Sequence, residues 1–399
     1  MAGGEAMKSG EHSVQVRDFP CLRRGVPVCF GGVSRVSIPA IFFCQPEHAG
    51  LRVAAMTVLD RLLVTAHRAG CRTLTVVCDG EMPPIPRARA LGIDPVVTRV
   101  APKITGRTLV ASANLVVQRG DVEKLLKNSA RLVTADRKLL PIGVAERLED
   151  SVARTLKRTP KVKAEGVARR VEDGFMAAVA EDELWETMGS TTDGVVDTYF
   201  NRPVGRLLSK LLIRTPVSPN QVSVFATCVG VGAAVCLARG EQWWDVVGAL
   251  VLQLSAAIDC VDGDIARMMF KESKLGKWLD LVGDQVVHVA LFVAIALGVS
   301  VSQPDVPALA LGVSAAVGVL IAFGVVLRGM LHPGARGNSR VQRLIDATTN
   351  RDFSVIIIVL AFAGRLDLFL WVAAIGVHAF WLLALGLQLR GGRAAGETS

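Results

Sequence analysis

Two patterns of apolar and polar positions divide the chain. From about Val222 onward apolar residues run in long blocks, which predict six spans at about 221–239, 243–261, 278–300, 306–327, 353–370 and 368–389. Most reach the roughly 20 apolar residues that a membrane crossing needs. Arg365 and Asp367 cut the fifth short, so it and the sixth read as a tight hairpin. Before this region, short β-like runs alternate with helical spacing. Strands are expected around 27–30 and over 38–44, 73–78, 107–117 and 131–136, with helices over 51–70, closed by Gly70, and 121–130. That alternation predicts an α/β domain with a mostly parallel sheet. The Lys-, Arg- and Glu-rich stretch 148–172 reads either as a surface helix or as a partly ordered insertion. The expected organisation is a soluble domain over 1–190, a juxtamembrane helix and linker over 191–220, a six-span domain over 221–390 and a tail over 391–399.

The segment 193–213 is amphipathic, with Val204, Leu207, Leu208, Leu211 and Leu212 on one face and Arg206 and Lys210 on the other. It suits a helix lying on a membrane surface, and the alternative is a core-facing helix of the soluble domain. Two prolines in "TPVSPNQ" (215–221) then break the chain before the first span.

Composition sharpens this division. The chain of 399 residues is 51% apolar and 20% charged, with a formal net charge of +9. A basic excess fits nucleic acid, an anionic membrane surface or phosphorylated substrates. With one tyrosine and no nucleic-acid motif, nucleic acid is the least suited of these. Arg267, Lys271, Lys274 and Lys277 fall between spans two and three, and Arg328, Arg336, Arg340, Arg343 and Arg351 between spans four and five. The excess of positive charge on cytoplasmic loops then places these loops, the soluble half and both termini inside a cytoplasmic (inner) membrane. The N-terminus has no apolar signal-peptide core. The eight cysteines show no metal-ligand spacing, as expected for reduced structural thiols.

The candidate chemistry sits where span two meets span three. Asp259 and Asp262 are three residues apart, and Asp280 and Asp284 are four apart, so each pair shares one helical face. Two antiparallel helices joined by a short loop can aim both pairs at one point. Carboxylates at a membrane edge mark function, and four of them together call for hard divalent cations such as Mg²⁺, which take carboxylate and phosphate oxygens. Gly263 leaves room for a close approach, Ala266 keeps the helices near each other, Arg267 supplies a fixed cation and Gly276 opens the second helix without a side chain.

The stretch matches D-x2-D-G-x2-A-R-x8-G-x3-D-x3-D at Asp259, Asp262, Gly263, Ala266, Arg267, Gly276, Asp280 and Asp284. It resembles the CDP-alcohol phosphatidyltransferase family over about 192–390. The resemblance implies transfer of a phospho-alcohol group from a CDP-linked donor to an acceptor hydroxyl, with release of CMP. It also implies that Asp259, Asp262 and Asp280 hold two Mg²⁺ or Mn²⁺ ions. Asp284 would act as general base and touch a metal as well. Gly263, Ala266, Arg267 and Gly276 would line the CDP site. Arg267 serves equally to orient a motif carboxylate, and Asn220 is either a nucleotide contact or the cap of span one. Lys274, Arg328, Arg340 and Arg351 are candidates for an acceptor phosphate, against a reading as headgroup and stop-transfer charge. The family implies a homodimer.

The soluble half resembles a sugar-phosphate nucleotidyltransferase, an α/β (Rossmann-type) fold, through "TVLDRLLVTAHRAGCRTLTVVCDG" (57–80). The fusion resembles inositol-phosphate cytidylyltransferase/di-myo-inositol phosphate phosphate synthase bifunctional proteins. Here the Gly-rich loop is reduced to Gly31, Gly32 and Arg35, and Asn114 stands near the place of a metal-binding aspartate, so lost cytidylyltransferase catalysis is expected. Inositol phosphate is then the expected acceptor. CDP-diacylglycerol with another polar alcohol is the alternative, and a transporter or a nucleotide-binding scaffold is the rival from another class.

Overall fold

The computed structural model describes residues 38–189, 194–331 and 353–396. The first part builds a sheet and its covering helices. In order they are β1 (Ala40–Cys44), α1 (Pro46–Ala49), β2 (Arg52–Val53), β3 (Met56–Thr57), α2 (Val58–Ala69), β4 (Leu74–Cys78), α3 (Pro86–Ala90) and β5 (Val96–Thr98). There follow β6 (Thr108–Ser112), β7 (Leu115–Val117), α4 (Arg119–Asn128), β8 (Arg131–Val133) and β9 (Leu139–Ala145). Then come α5 (Val152–Thr155), β10 (Lys161–Lys163), β11 (Ala168–Arg170) and α6 (Gly174–Glu186). Seven strands form one sheet in the order β10-β8-β9-β6-β1-β4-β5. All neighbours pair in parallel except β9, which is antiparallel to both β6 and β8.

Local chemistry explains these elements. The central strand β1, AIFFC, is apolar throughout because helices and neighbours cover both its faces. Helix α2 begins where the Thr57 side chain accepts the Asp60 N–H at 3.1 Å. It ends where Gly70 takes a left-handed φ of 118°. Three expectations need correction. The run 51–70 opens as the β2–β3 hairpin, turned at Ala54 with φ 57°, before the helix begins. The stretch 107–117 is two strands, because a turn at Ala113 and Asn114 separates them. The stretch 148–172 is neither one surface helix nor a loose insertion: it carries α5 and the strands β10 and β11, which pair with β8 and β7. The expected strand around 27–30 lies outside the described residues.

The second part is helical. A π-helical turn (Asp197–Asn201) leads into α7 (Arg202–Leu212), then α8 (Pro219–Leu237), α9 (Gln242–Met268), α10 (Lys274–Ser302) and α11 (Ala308–Leu331). The last two are α12 (Phe353–Phe362) and α13 (Leu366–Gly396). Five of these, α8 to α11 and α13, are long and apolar enough to cross a membrane. The expected fifth span is short, as Arg365 and Asp367 suggest: α12 has 10 described residues, and the chain turns at Gly364, φ 64°, into α13, with Asp367 paired to Arg365 at 3.0 Å.

On α7, Leu207 and Leu211 are exposed, as a surface helix requires. Gly205 and Ser209 are the buried residues of α7, which packs against α9. A Cβ on Gly205 would lie 3.0 Å from the Ala257 carbonyl. One apolar cluster runs from the sheet, through Leu62 and Trp185, to Ile265 and Met268 at the end of α9.

Candidate metal centre

Helices α9 and α10 both pack against α8, and small residues set the spacing of α10 on α8. A Cβ on Gly283 of α10 would stand 2.5 Å from the Thr227 hydroxyl of α8, and one on Gly230 of α8 would stand 2.7 Å from Val287 of α10. Side chains at these positions would push α10 off α8 and widen the site. Neither glycine is evident from sequence, because each matters through a neighbour more than 50 positions away.

That close packing brings Asp259 of α9 together with Asp280 and Asp284 of α10. Carboxylate oxygens of the three lie within 4.8 Å of one another. Such a donor set fits a hard divalent cation, since each oxygen is a ligand of the type Mg²⁺ or Mn²⁺ prefers and the cation removes their mutual repulsion. Asp262, the fourth expected ligand, is buried and accepts a hydrogen bond from the Ser223 hydroxyl of α8. A cleft opens beside the group, lined by Asp259, Asp284, Thr227, Ser255, His288 and Ser354 among others.

The remaining motif residues take definite places. Arg267 donates to Asp264 at 2.7 Å, and Arg202 of α7 donates to the same oxygen at 2.9 Å. Asp264 is 1% exposed. Arg267 is thus oriented by a carboxylate outside the motif, one to which the sequence gives no role. The Arg267 guanidinium lies over Gly263, 3.5 Å from where a Cβ would sit. Gly276 meets Asn220: a Cβ there would be 3.0 Å from the Asn220 side-chain oxygen.

Asn220 does not cap α8. Ser218 does, accepting the Gln221 N–H at 3.3 Å while the Gln221 side chain accepts the Ser218 N–H at 2.8 Å. Ala266 is half-buried. Lys274 is exposed in the first turn of α10, and Arg328 is exposed in the last turns of α11. Arg340 and Arg351 lie outside the described residues, as do Gly31, Gly32 and Arg35. Asn114 is buried in the α/β part, where its side-chain oxygen accepts from Ser112 at 2.7 Å.

The sequence profile of the CDP-alcohol phosphatidyltransferase family matches residues 216–385. The phosphatidylinositol phosphate synthase of Corynebacterium glutamicum is 30% identical over 173 residues, 42% of this chain and 76% of that protein. The bifunctional IPC transferase and DIPP synthase of Aquifex aeolicus is 30% identical over 115 residues, 29% of this chain. The chain matches only 26% of the Aquifex aeolicus protein's length. Among solved structures, phosphatidylinositol phosphate synthase of Mycobacterium tuberculosis in complex with manganese and citrate is similar at 18% identity and a TM-score of 0.37, over 47% of this chain and 87% of that one.

Proposed function

Because the chain belongs to the CDP-alcohol phosphatidyltransferase family, we propose that it is a multi-pass membrane phosphotransferase that moves a phospho-alcohol group from a CDP-linked donor to an acceptor hydroxyl. The observation that carries this reading is the meeting of Asp259, Asp280 and Asp284 beside an open cleft. In the reaction the acceptor oxygen forms a new bond to the phosphorus bearing the donor's alcohol. The P–O–P bond breaks, CMP departs with the bridging oxygen, and the acceptor proton passes to the Asp284 carboxylate.

Asp259, Asp262 and Asp280 would hold Mg²⁺ or Mn²⁺, two ions in all, with Asp284 in contact. When bound, the cations neutralise the pyrophosphate and the developing charge on the departing oxygen. Arg267, aligned by Asp264, adds a fixed positive charge for the donor phosphates, and Gly263, Ala266, Gly276 and Asn220 shape the space for the nucleotide. Lys274, Arg328, Arg340 and Arg351 are proposed to attract a phosphorylated acceptor. The active site is assigned to the cytoplasmic face of the inner membrane, in a homodimer.

Inositol phosphate is the proposed acceptor, since relatives at 30% identity are named as phosphatidylinositol phosphate synthase and as IPC transferase and DIPP synthase. The two names differ in their implied donor, a lipid in the first and an inositol derivative in the second. Purified full-length chain supplied with inositol phosphate, Mg²⁺ and either CDP-diacylglycerol or CDP-inositol should release CMP with one of them. Silence with both donors, across a panel of polar alcohols, would refute the assignment.

A further inference from the structure

Helix α9 closes with a Schellman arrangement. The Phe270 N–H donates to the Arg267 carbonyl at 3.3 Å, and the Lys271 N–H donates to the Ala266 carbonyl at 2.7 Å. The left-handed position of such a closure usually holds glycine. Here it holds Phe270, at φ 53°, where a bulky side chain is strained. The sequence offers no reason for an aromatic residue there, and the reason lies in the α/β half.

Three arginines of α2 and α3 converge on this residue. The guanidinium carbons of Arg61 and Arg68 stand 5.4 Å and 4.8 Å from the centre of its ring. Arg68 and Arg87 both donate to its carbonyl, at 2.9 Å and 2.5 Å. Arg68 also pairs with Glu272 at 2.9 Å. The clamp is itself held in place. The Asp60 carboxylate accepts the Arg87 and Ala88 N–H groups at 2.9 Å and 2.7 Å, which fixes α3 beside α2. Arg61 is buried, and burial draws its ionisation down to about 10, so it is still a cation at neutral pH.

Phe270 lies in the turn between the helix carrying Asp259 and the helix carrying Asp280 and Asp284. That turn is the covalent link between the two helices. We propose that Phe270 is a positioning residue, gripped by Arg61, Arg68 and Arg87, through which the α/β half sets the separation of α9 and α10 and with it the affinity of the carboxylates for a divalent cation. This gives a physical task to a domain whose nucleotide chemistry is expected to be lost. It rests on the metal assignment made under Proposed function.

The test is Mn²⁺ binding by the detergent-purified full chain, followed by electron paramagnetic resonance without nucleotide or acceptor. Phe270→Gly relieves the backbone strain while removing the ring, so a role confined to ending the helix would leave binding unchanged or improved. The clamp predicts the reverse: Phe270→Gly and the double variant Arg68→Ala/Arg87→Ala bind Mn²⁺ about tenfold more weakly, while Phe270→Tyr stays within about twofold of the parent. Parent-like affinity in Phe270→Gly overturns the proposal. Where that variant does not fold, parent-like affinity in the double variant overturns it equally. A parent chain that binds no Mn²⁺ removes the metal assignment itself, and the clamp falls with it.

Discussion

Among single residues, Asp264 shows how much the motif alone leaves out. One carboxylate takes two guanidinium groups, from Arg202 and from the motif's Arg267, in a nearly closed environment. An unpaired charge at such a site is costly, and Asp264 pairs with both arginines. We expect Asp264→Asn to raise KM for the CDP donor about tenfold with a smaller change in kcat, because it frees the binding cation while sparing the proton acceptor. Steady-state kinetics with varied donor separates the two. Asp284→Asn should show the opposite split, a fall in kcat of about 100-fold or more at an unchanged helical content by circular dichroism.

The thiols of Cys44 and Cys71 are buried, and burial is the main cause that pushes each up to about 12. Iodoacetamide at pH 8 should therefore leave both unmodified in the folded chain and label both after unfolding, as read by peptide mass. The aspartate motif was legible in the sequence because its information is local spacing along two helices. Asp264 and Phe270 were not. Their meaning depends on Arg202, 62 positions from Asp264, and on Arg68, 202 positions from Phe270.

Among elements, the long spans and the alternating strands could be read because their periodicity is strong over many residues. What failed was short or decided by packing. The β2–β3 hairpin has two-residue strands, too brief to leave a period. The strands of 148–172 are charged and exist because β8 and β7 offer free edges to pair with. The packing of α7 on α9 left no sequence signal, since the buried Gly205 and Ser209 of α7 are small and carry no apolar pattern.

The same logic gives a test at the contact of α8 with α10. Gly283→Ala places a methyl group 2.5 Å from the Thr227 hydroxyl, and the next atom of Thr227 is 3.7 Å away. The single variant should lower the melting temperature of the detergent-solubilised chain, and adding Thr227→Ala should recover most of the loss. Failure of the pair to recover would mean that α10 shifts bodily instead of meeting one hydroxyl.

In the whole molecule, the sheet and the membrane-type helices share apolar contacts. Residues of the α/β core and Ile258, Val261, Ile265 and Met268 of α9 belong to one buried cluster. Five helices carry the length and apolarity of membrane crossings, so the chain should remain in the membrane pellet after alkaline carbonate washing, as judged by immunoblot. The two classes of structure were readable from composition along the chain. Their physical union was not, because composition separates them at the point where the contacts join them.

That union fixes a chronology. Arg68 leaves the ribosome 202 residues before Phe270, and N-terminal units fold first during synthesis. Synthesis in that order would present the three arginines before the acidic hairpin emerges, so that the nascent turn meets the residues that grip it. A circular permutant that made α9 and α10 first would have to thread its carboxylates into the bilayer with nothing waiting to receive the bend.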